Sequence, residues 1–184
     1  MSQSDTKKRL INSAINLFSK NGYFNTKVSD IVKDAGVAQG TFYLYFKSKE
    51  EIFLYIVEEI IEKIKQQTEK SLKEDLPVDK KLKKFASSVF YLLSEYKEVA
   101  KIYFFHLLCT DEKFQKIYFE AEQMLKSFYL DVLKSYEDKA LLTDILLGFG
   151  KRLLEIKFLR DQKPIEEIIK EFEEGLKLIL RKEK

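Results

Sequence analysis

Three consecutive residues, Gln39, Gly40 and Thr41, have the chemistry needed to read a base pair. A glutamine amide can bond to both N6 and N7 of adenine, and the hydroxyl and methyl groups of threonine suit a base edge or a thymine methyl. Glycine has no side chain, so the backbone beside it can approach a partner closely. These residues are therefore candidates for direct contacts to base edges in a DNA major groove.

A second set of side chains suits the phosphates of a DNA backbone. The phenols of Tyr43 and Tyr45 can donate hydrogen bonds to phosphate oxygens, and Lys27 and Lys49 add positive charge. Thr26 is predicted to cap a helix N-terminus, where free backbone N–H groups attract anions. These five residues would position the protein on DNA without reading its sequence.

Short helices joined by glycine-containing turns must position these side chains. A first helix is predicted from apolar residues at helical spacing and stops at Asn21-Gly22, and a second runs from Thr26 to Gly36. The segment 39–46 that follows is too short for a core helix, and its two phenylalanines are assigned to the core rather than to DNA. This arrangement is typical of a helix-turn-helix, whose second helix can enter a major groove.

The charge of the chain is uneven. Residues 1–50 hold eight basic and four acidic residues, whereas the whole chain has a net charge of only +3. A basic N-terminal part on a near-neutral remainder favours a head that binds a polyanion, although a solvated lysine-rich surface would give the same count.

The N-terminal residues together resemble the tetracycline-repressor (TetR) family of bacterial regulators, over about residues 5–53. The resemblance lies in six groups at fixed offsets: Ala14-x-x-Leu17-Phe18, Gly22-Tyr23, Thr26-x-Val28-x-Asp30-Ile31, Ala35-Gly36-Val37, Gly40-Thr41-Phe42-Tyr43-x-Tyr45-Phe46 and Lys47-Ser48-Lys49-Glu50. One departure is Ala38, where the family more often has a hydroxyl residue, so the short helix lacks a capping side chain.

The resemblance implies an all-α homodimer, with an N-terminal three-helix helix-turn-helix domain and a C-terminal helical domain for ligand binding and dimerisation. We expect the DNA-binding domain over residues 1–50, with its motif at about 27–46 and a connecting helix from 49, and the second domain over 51–184. Members usually repress transcription from a palindromic operator and are released by a small molecule.

Apolar periodicity beyond residue 48 predicts further helices. Ser48 and Glu51 form a capping box that opens a long connecting helix to about Leu72. Further amphipathic helices are predicted over about 82–96, 99–109, 114–132, 140–159 and 165–180.

The last two predicted helices carry apolar residues on more than one face and must be covered twice. A four-helix dimer interface would cover both faces, and a well-buried monomer core is the alternative. Gly148 and Gly150 lower helix propensity there and suggest close backbone approach to a neighbour.

Aromatic residues concentrate between residues 85 and 136. Such a stripe is more often core than pocket, but aromatic walls with a few polar groups also describe a cavity for an apolar or aromatic ligand. The candidate ligand-binding residues are Phe90, Tyr103, His106, Cys109, Tyr118 and Phe128.

Several other function classes are disfavoured by the sequence. With one cysteine and one histidine, the usual four-ligand Cys/His zinc site cannot be assembled, and we find neither a catalytic triad nor a phosphate-binding glycine loop. We therefore expect no enzyme, no cofactor, no metal, no membrane contact and a cytoplasmic location. Two alternatives to a regulator remain open: a helical small-molecule carrier whose basic head is incidental, and a nonspecific nucleoid protein.

Overall fold

The computed structural model describes residues 3–180, and this part of the chain is helical without a strand. The helices are α1 (Gln3–Asn21), α2 (Val28–Asp34), α3 (Gln39–Tyr43), α4 (Lys49–Lys73), α5 (Val78–Glu95), α6 (Lys97–Ile102), α7 (Glu112–Val132), α8 (Lys139–Arg152) and α9 (Ile165–Ile179). Two of them continue into π-helical segments, α6 over Tyr103–Leu107 and α8 over Leu153–Arg160. The predicted all-α class is confirmed.

Two glycines with left-handed backbone end the first two helices. Gly22 has φ +77° directly after α1, and Gly36 has φ +62° after α2. The guanidinium of Arg9 reaches from α1 and donates hydrogen bonds to the carbonyls of Ala35 and Gly36, which satisfies acceptors at the end of α2. The positive φ favours glycine at position 36, and a Cβ there would lie 2.8 Å from Nη2 of Arg9 and displace that flexible side chain.

The prediction that Thr26 caps α2 is wrong by one residue. Lys27 occupies the N-cap position, and its backbone N–H donates to the Asp30 carboxylate at 2.9 Å. Thr26 is instead fully buried, and its hydroxyl donates to the carbonyl of Gly22 at 2.8 Å. The threonine therefore fastens the connection between α1 and α2 from the inside.

The expectation about the cap of α3 is confirmed, and that about the capping box of α4 is confirmed in its first half. Ala38 precedes α3 and offers no side-chain capping bond. Ser48 begins α4, where its Oγ accepts from the backbone N–H of Glu51 at 3.1 Å. The Glu51 carboxylate accepts from the N–H of Lys47 rather than from that of Ser48, so the reciprocal half of the box is shifted by one residue.

Helix α4 joins the head, α1–α3, to the body, α5–α9, through one continuous apolar core. Phe53 of α4 packs on Phe18 of α1, with ring centroids 5.5 Å apart, and on Phe114 of α7 at 6.3 Å. The apolar cluster of the head thus continues past residue 50 into the first turn of α7. The domain boundary at 50/51 stays a prediction.

The close helix approach in the body lies at Gly175, not at Gly148 and Gly150. A Cβ at Gly175 of α9 would overlap the Phe149 ring of α8, whereas a Cβ at Gly148 would meet no atom within 4 Å. A Cβ at Gly150 would make ordinary contact with Phe172 at 3.9 Å. The prediction that Gly148 and Gly150 mark the close approach is therefore wrong, because the glycine that a neighbour crowds lies on α9.

Within residues 3–180, none of the helices combines the length and apolar character that crossing a membrane requires.

Candidate functional site

Helix α3 presents a polar face to solvent above an apolar anchor. Phe42 is fully buried and Phe46 nearly so, with ring centroids 5.9 Å apart, and they hold the helix against the head. Gln39, Gly40 and Tyr43 are exposed on the other side, and Thr41 is half-buried. The side chains with base-reading chemistry therefore lie on one accessible surface.

Leu44, which sequence reasoning passed over, is 81% exposed directly after α3. A leucine amid aromatic residues looks like core in a sequence. The signal that could have found it is its spacing, since it lies two residues from Phe42 and from Phe46, whereas those two are four residues apart and share a face.

The predicted phosphate contacts divide into accessible and inaccessible side chains. Lys27 and Tyr43 are exposed and Tyr45 is half-buried. Thr26 is withdrawn as a side-chain contact, because its hydroxyl is buried and bonded to the Gly22 carbonyl. The side chain of Lys27 is accessible there, and a contact from the backbone N–H groups at the start of α2 stays a prediction.

Lys49 is half-buried and is bonded within the head, and its contribution of charge toward phosphate stays a prediction. Its ammonium donates to the carbonyls of Tyr23 at 2.7 Å and Thr26 at 2.9 Å, and it lies 4.3 Å from the centre of the Tyr23 ring. Burial lowers the pKa of Lys49. The side chain thus ties the α1–α2 connection to the start of α4.

A cavity of about 460 Å³ lies in the body, within the range of small-molecule sites. Its walls come from α4, α5, α6, α7, α8 and α9 and are mostly apolar. Three predicted ligand-binding residues, Phe90, Tyr103 and Tyr118, line it. Their role in binding stays a prediction.

The other three candidates lie outside the cavity. His106 is exposed and meets the Phe24 ring edge-on at 6.1 Å, and Cys109 is also exposed. Tyr103 and Leu107, one turn apart, take the inward face of this segment, so His106 is turned outward. Phe128 is buried behind the wall, its ring centroid 4.1 Å from that of Phe85.

Polar groups gather at one end of the cavity, between α7 and α8. The Lys151 ammonium donates to the Tyr118 hydroxyl at 2.5 Å and lies 3.8 Å from the Glu155 carboxylate. The hydrogen bond to Tyr118 raises the pKa of Lys151, and burial raises that of Glu155. Glu122 lines the cavity close enough to Lys151 to raise the pKa of that lysine further, whereas Asp144 lies two turns earlier on α8 and pairs with Lys126 at 3.5 Å.

Sequence reasoning missed the acidic and basic residues of this polar end, because they resemble the other solvated charges of the helices. One signal was available. Asp144, Gly148, Lys151 and Glu155 are spaced three or four residues apart, which places them on one face of a helix.

Tyr103 connects the cavity wall to the head. Its hydroxyl donates to the carbonyl of Phe114 at 2.8 Å, in the first turn of α7, and burial raises its pKa above the usual range. The ring of Phe114 in turn packs against Phe53 of α4. A continuous set of contacts thus runs from the cavity wall at Tyr103 to the core beneath the helix-turn-helix.

Comparison with known proteins identifies both parts of the chain. Residues 10–56 match the family described as "Bacterial regulatory proteins, tetR family", and residues 80–179 match "Tetracyclin repressor-like, C-terminal domain". The HTH-type transcriptional regulator YdgC of Bacillus subtilis (strain 168) is 34% identical over 163 residues, which cover 82% of this chain and 80% of YdgC.

Solved structures agree along nearly the whole chain. A transcriptional regulator of the TerR/AcrR family from Aquifex aeolicus VF5 has a TM-score of 0.79 and 32% identity, covering 95% of this chain and 99% of its own. The regulator FadR from Bacillus subtilis, in complex with stearoyl-CoA, has a TM-score of 0.76 and 26% identity, covering 94% and 97%. The chain therefore belongs to the TetR family of transcriptional regulators and carries the helix-turn-helix DNA-binding domain of that family.

Proposed function

We propose that the protein is a homodimeric repressor that binds a palindromic operator in the cytoplasm and leaves it when an apolar ligand occupies the cavity. The observation that carries this proposal is the exposed polar face of α3, held out from the head by buried Phe42. Gln39, Gly40 and Thr41 would contact base edges. Tyr43, Tyr45 and Lys27 would contact phosphates.

Dimerisation through α8 and α9 is supported by apolar side chains left on their outer faces. Leu141 is 61% exposed and Leu178 65%, and Ile145 beside them is also exposed. Two helices from each subunit would cover these residues in a four-helix interface. Such a dimer would carry two heads, which must reach half-sites about 34–36 Å apart on one side of the duplex.

Ligand-driven release is supported by the path from the cavity to the head. Tyr103 lines the cavity and is bonded to Phe114, whose ring contacts Phe53 of α4, and α4 begins directly behind the helix-turn-helix. Occupancy that shifts this wall would change the spacing of two heads in a dimer, and a ligand acts only by the difference in its affinity for the two arrangements. The stearoyl-CoA held by FadR favours a ligand with a long apolar chain.

The test is selection from a pool of random duplexes at a fixed salt concentration, followed by measurement of the mass of the complex. A regulator of this kind enriches a palindrome and binds it with two subunits. Equal binding to every duplex, with a steep salt dependence, would instead indicate a nonspecific nucleoid protein. If ligand-free, refolded protein shows no DNA binding, the carrier function replaces the proposed one.

A further inference from the structure

We infer that the cavity selects a ligand whose polar end is a neutral carbonyl, as in a fatty acyl ester, thioester or amide, and that Lys151 and Tyr118 bind this carbonyl. The inference rests on the proposed function, since it names the chemical class of the ligand expected there. It concerns the polar end of the cavity, the residues Tyr118, Glu122, Lys151 and Glu155.

The polar end is where the cavity opens to solvent. Lys151 both lines the cavity and is exposed, and Gly148, one turn before it, is exposed in the single chain as well. The opening therefore lies between α7 and α8, next to Lys151. An amphipathic ligand would place its chain among the apolar walls and its polar end at this opening.

Lys151 has hydrogen-bond donors to offer at this point. An ammonium group carries three N–H donors, and the bond to the Tyr118 hydroxyl occupies one. The nearest oxygen of Glu155 lies 3.8 Å away, which is an ion-pair distance but too long for a hydrogen bond. Tyr118 accepts from Lys151 and keeps its own O–H as a donor. The pair is thus suited to an acceptor atom on the ligand.

The charge around Lys151 disfavours a carboxylate as that acceptor. Glu122 and Glu155 both line this end, and the charge of each acts on Lys151. Counting Lys151 against these two acids leaves one excess negative charge. A carboxylate would be repelled by the acids that flank its donor, whereas a neutral carbonyl accepts from Lys151 and Tyr118 without that repulsion.

The inference is tested by calorimetric titration at pH 7.5 with three probes that share the same ten-carbon acyl chain. The probes are decanoate, methyl decanoate and S-methyl thiodecanoate. Because an ester leaves water more readily than a carboxylate does, the comparison is made between variants rather than between probes alone. We expect Glu122→Gln and Glu155→Gln each to tighten decanoate binding about tenfold and to change methyl decanoate binding less than twofold. The comparison of methyl decanoate with S-methyl thiodecanoate distinguishes a ligand that is an oxygen ester from one that is a thioester.

Lys151→Met removes the ammonium and keeps a long stem, and Tyr118→Phe removes only the hydroxyl. We expect Lys151→Met to weaken methyl decanoate binding about tenfold and Tyr118→Phe to weaken it severalfold. Lys139→Met, an exposed lysine at the start of the same helix, is the matched control and should change nothing.

Two results would overturn the inference while leaving the proposed function intact: methyl decanoate binding that Lys151→Met leaves unchanged, or decanoate binding that neither acid-to-amide variant improves. Failure of all three probes to bind the wild-type protein would also overturn the inference, whereas the duplex selection described above tests the proposed function separately. Circular dichroism of each variant identifies any that do not fold, and for such a variant the comparison passes to Tyr118→Phe, which keeps the ring packing.

Discussion

The reading surface on α3 and the polar end of the cavity differ in how far apart in the chain their residues lie. Gln39, Gly40 and Thr41 are consecutive, and the burial of Phe42 alone turns them outward. Tyr118 and Lys151 are 33 residues apart and meet only because α7 packs on α8. Helical spacing therefore decides which way a side chain faces, but it does not decide which distant face it meets.

The largest expected effect comes from removing Phe42, the buried side chain that anchors α3 and turns its polar face outward. Phe42→Ala should lower the free energy of unfolding by about 3–5 kcal/mol, because it leaves a cavity in the head core. Urea denaturation measures the loss. The control is Leu44→Ala, two residues away and 81% exposed, which should change the stability by less than about 0.5 kcal/mol. Equal losses in both variants would mean that spacing does not set the two faces of α3.

The second test concerns recognition rather than folding. Gln39→Ala should weaken binding to the selected operator by about 1–3 kcal/mol for each half-site and relax the preference at one base position. Lys27→Ala is the informative counterpart, because loss of a phosphate contact should weaken binding to all sequences alike and reduce the salt dependence. The measurement is binding to the operator and to its single-base variants. An unchanged base preference in Gln39→Ala would remove this residue from the reading surface.

Most of the head could be predicted because its signals are local. Asn21-Gly22 ends α1, and Ser48 begins α4 where the sequence placed it. Thr26 and Lys49 have partners that residue type did not indicate. Thr26 bonds to Gly22, and the Lys49 ammonium bonds to the carbonyls of Tyr23 and Thr26. Residue type gives the chemistry of a side chain, but not its partner.

In the body, helices were predicted well and the cavity only in part. Phe90, Tyr103 and Tyr118 reach it, whereas His106 and Cys109 do not. The reason is that α6 gives way to a π-helical segment, closed by a bond from the N–H of Leu108 to the carbonyl of Tyr103 at 2.8 Å. A hydrogen bond between residues five apart, instead of four, changes which residues share a face of the helix. Spacing rules for an α-helix do not predict this change.

The third prediction sharpens the comparison within the body, where two glycines look alike in sequence. Gly175→Ala should destabilise the protein by about 1–3 kcal/mol, because the new methyl group overlaps the Phe149 ring, which is stacked on Phe172. Gly148→Ala should instead stabilise it by about 0.5–1 kcal/mol through helix propensity, since open space surrounds that position. Chemical denaturation of both variants gives the two signs. The same sign for both would contradict the packing of α8 against α9.

The last and smallest effect tests whether water is excluded from the floor of the cavity, by which we mean the wall at Tyr129. The exposed face of α3 is the contrasting surface. Tyr129 lines the cavity and is buried, and that burial raises its pKa. A phenol with a raised pKa stays protonated in the folded state after the unfolded chain has begun to ionise. Its contribution to stability is therefore complete below pH 10 and is lost as the pH rises above it.

Tyr129→Phe should accordingly reduce the fall in the free energy of unfolding between pH 9 and 11, by at most about 1.4 kcal/mol per pH unit above the phenol's ordinary pKa. Lys49, whose lowered pKa acts in the opposite direction below 10.5, is present in both proteins and cancels in the difference. The measurement is urea denaturation at several pH values, with the curves below pH 9 as the internal control, where the two proteins should run parallel. Parallel curves up to pH 11 would mean that water reaches the Tyr129 hydroxyl, and the cavity would then hold solvent at its floor as well as at its opening beside Gly148.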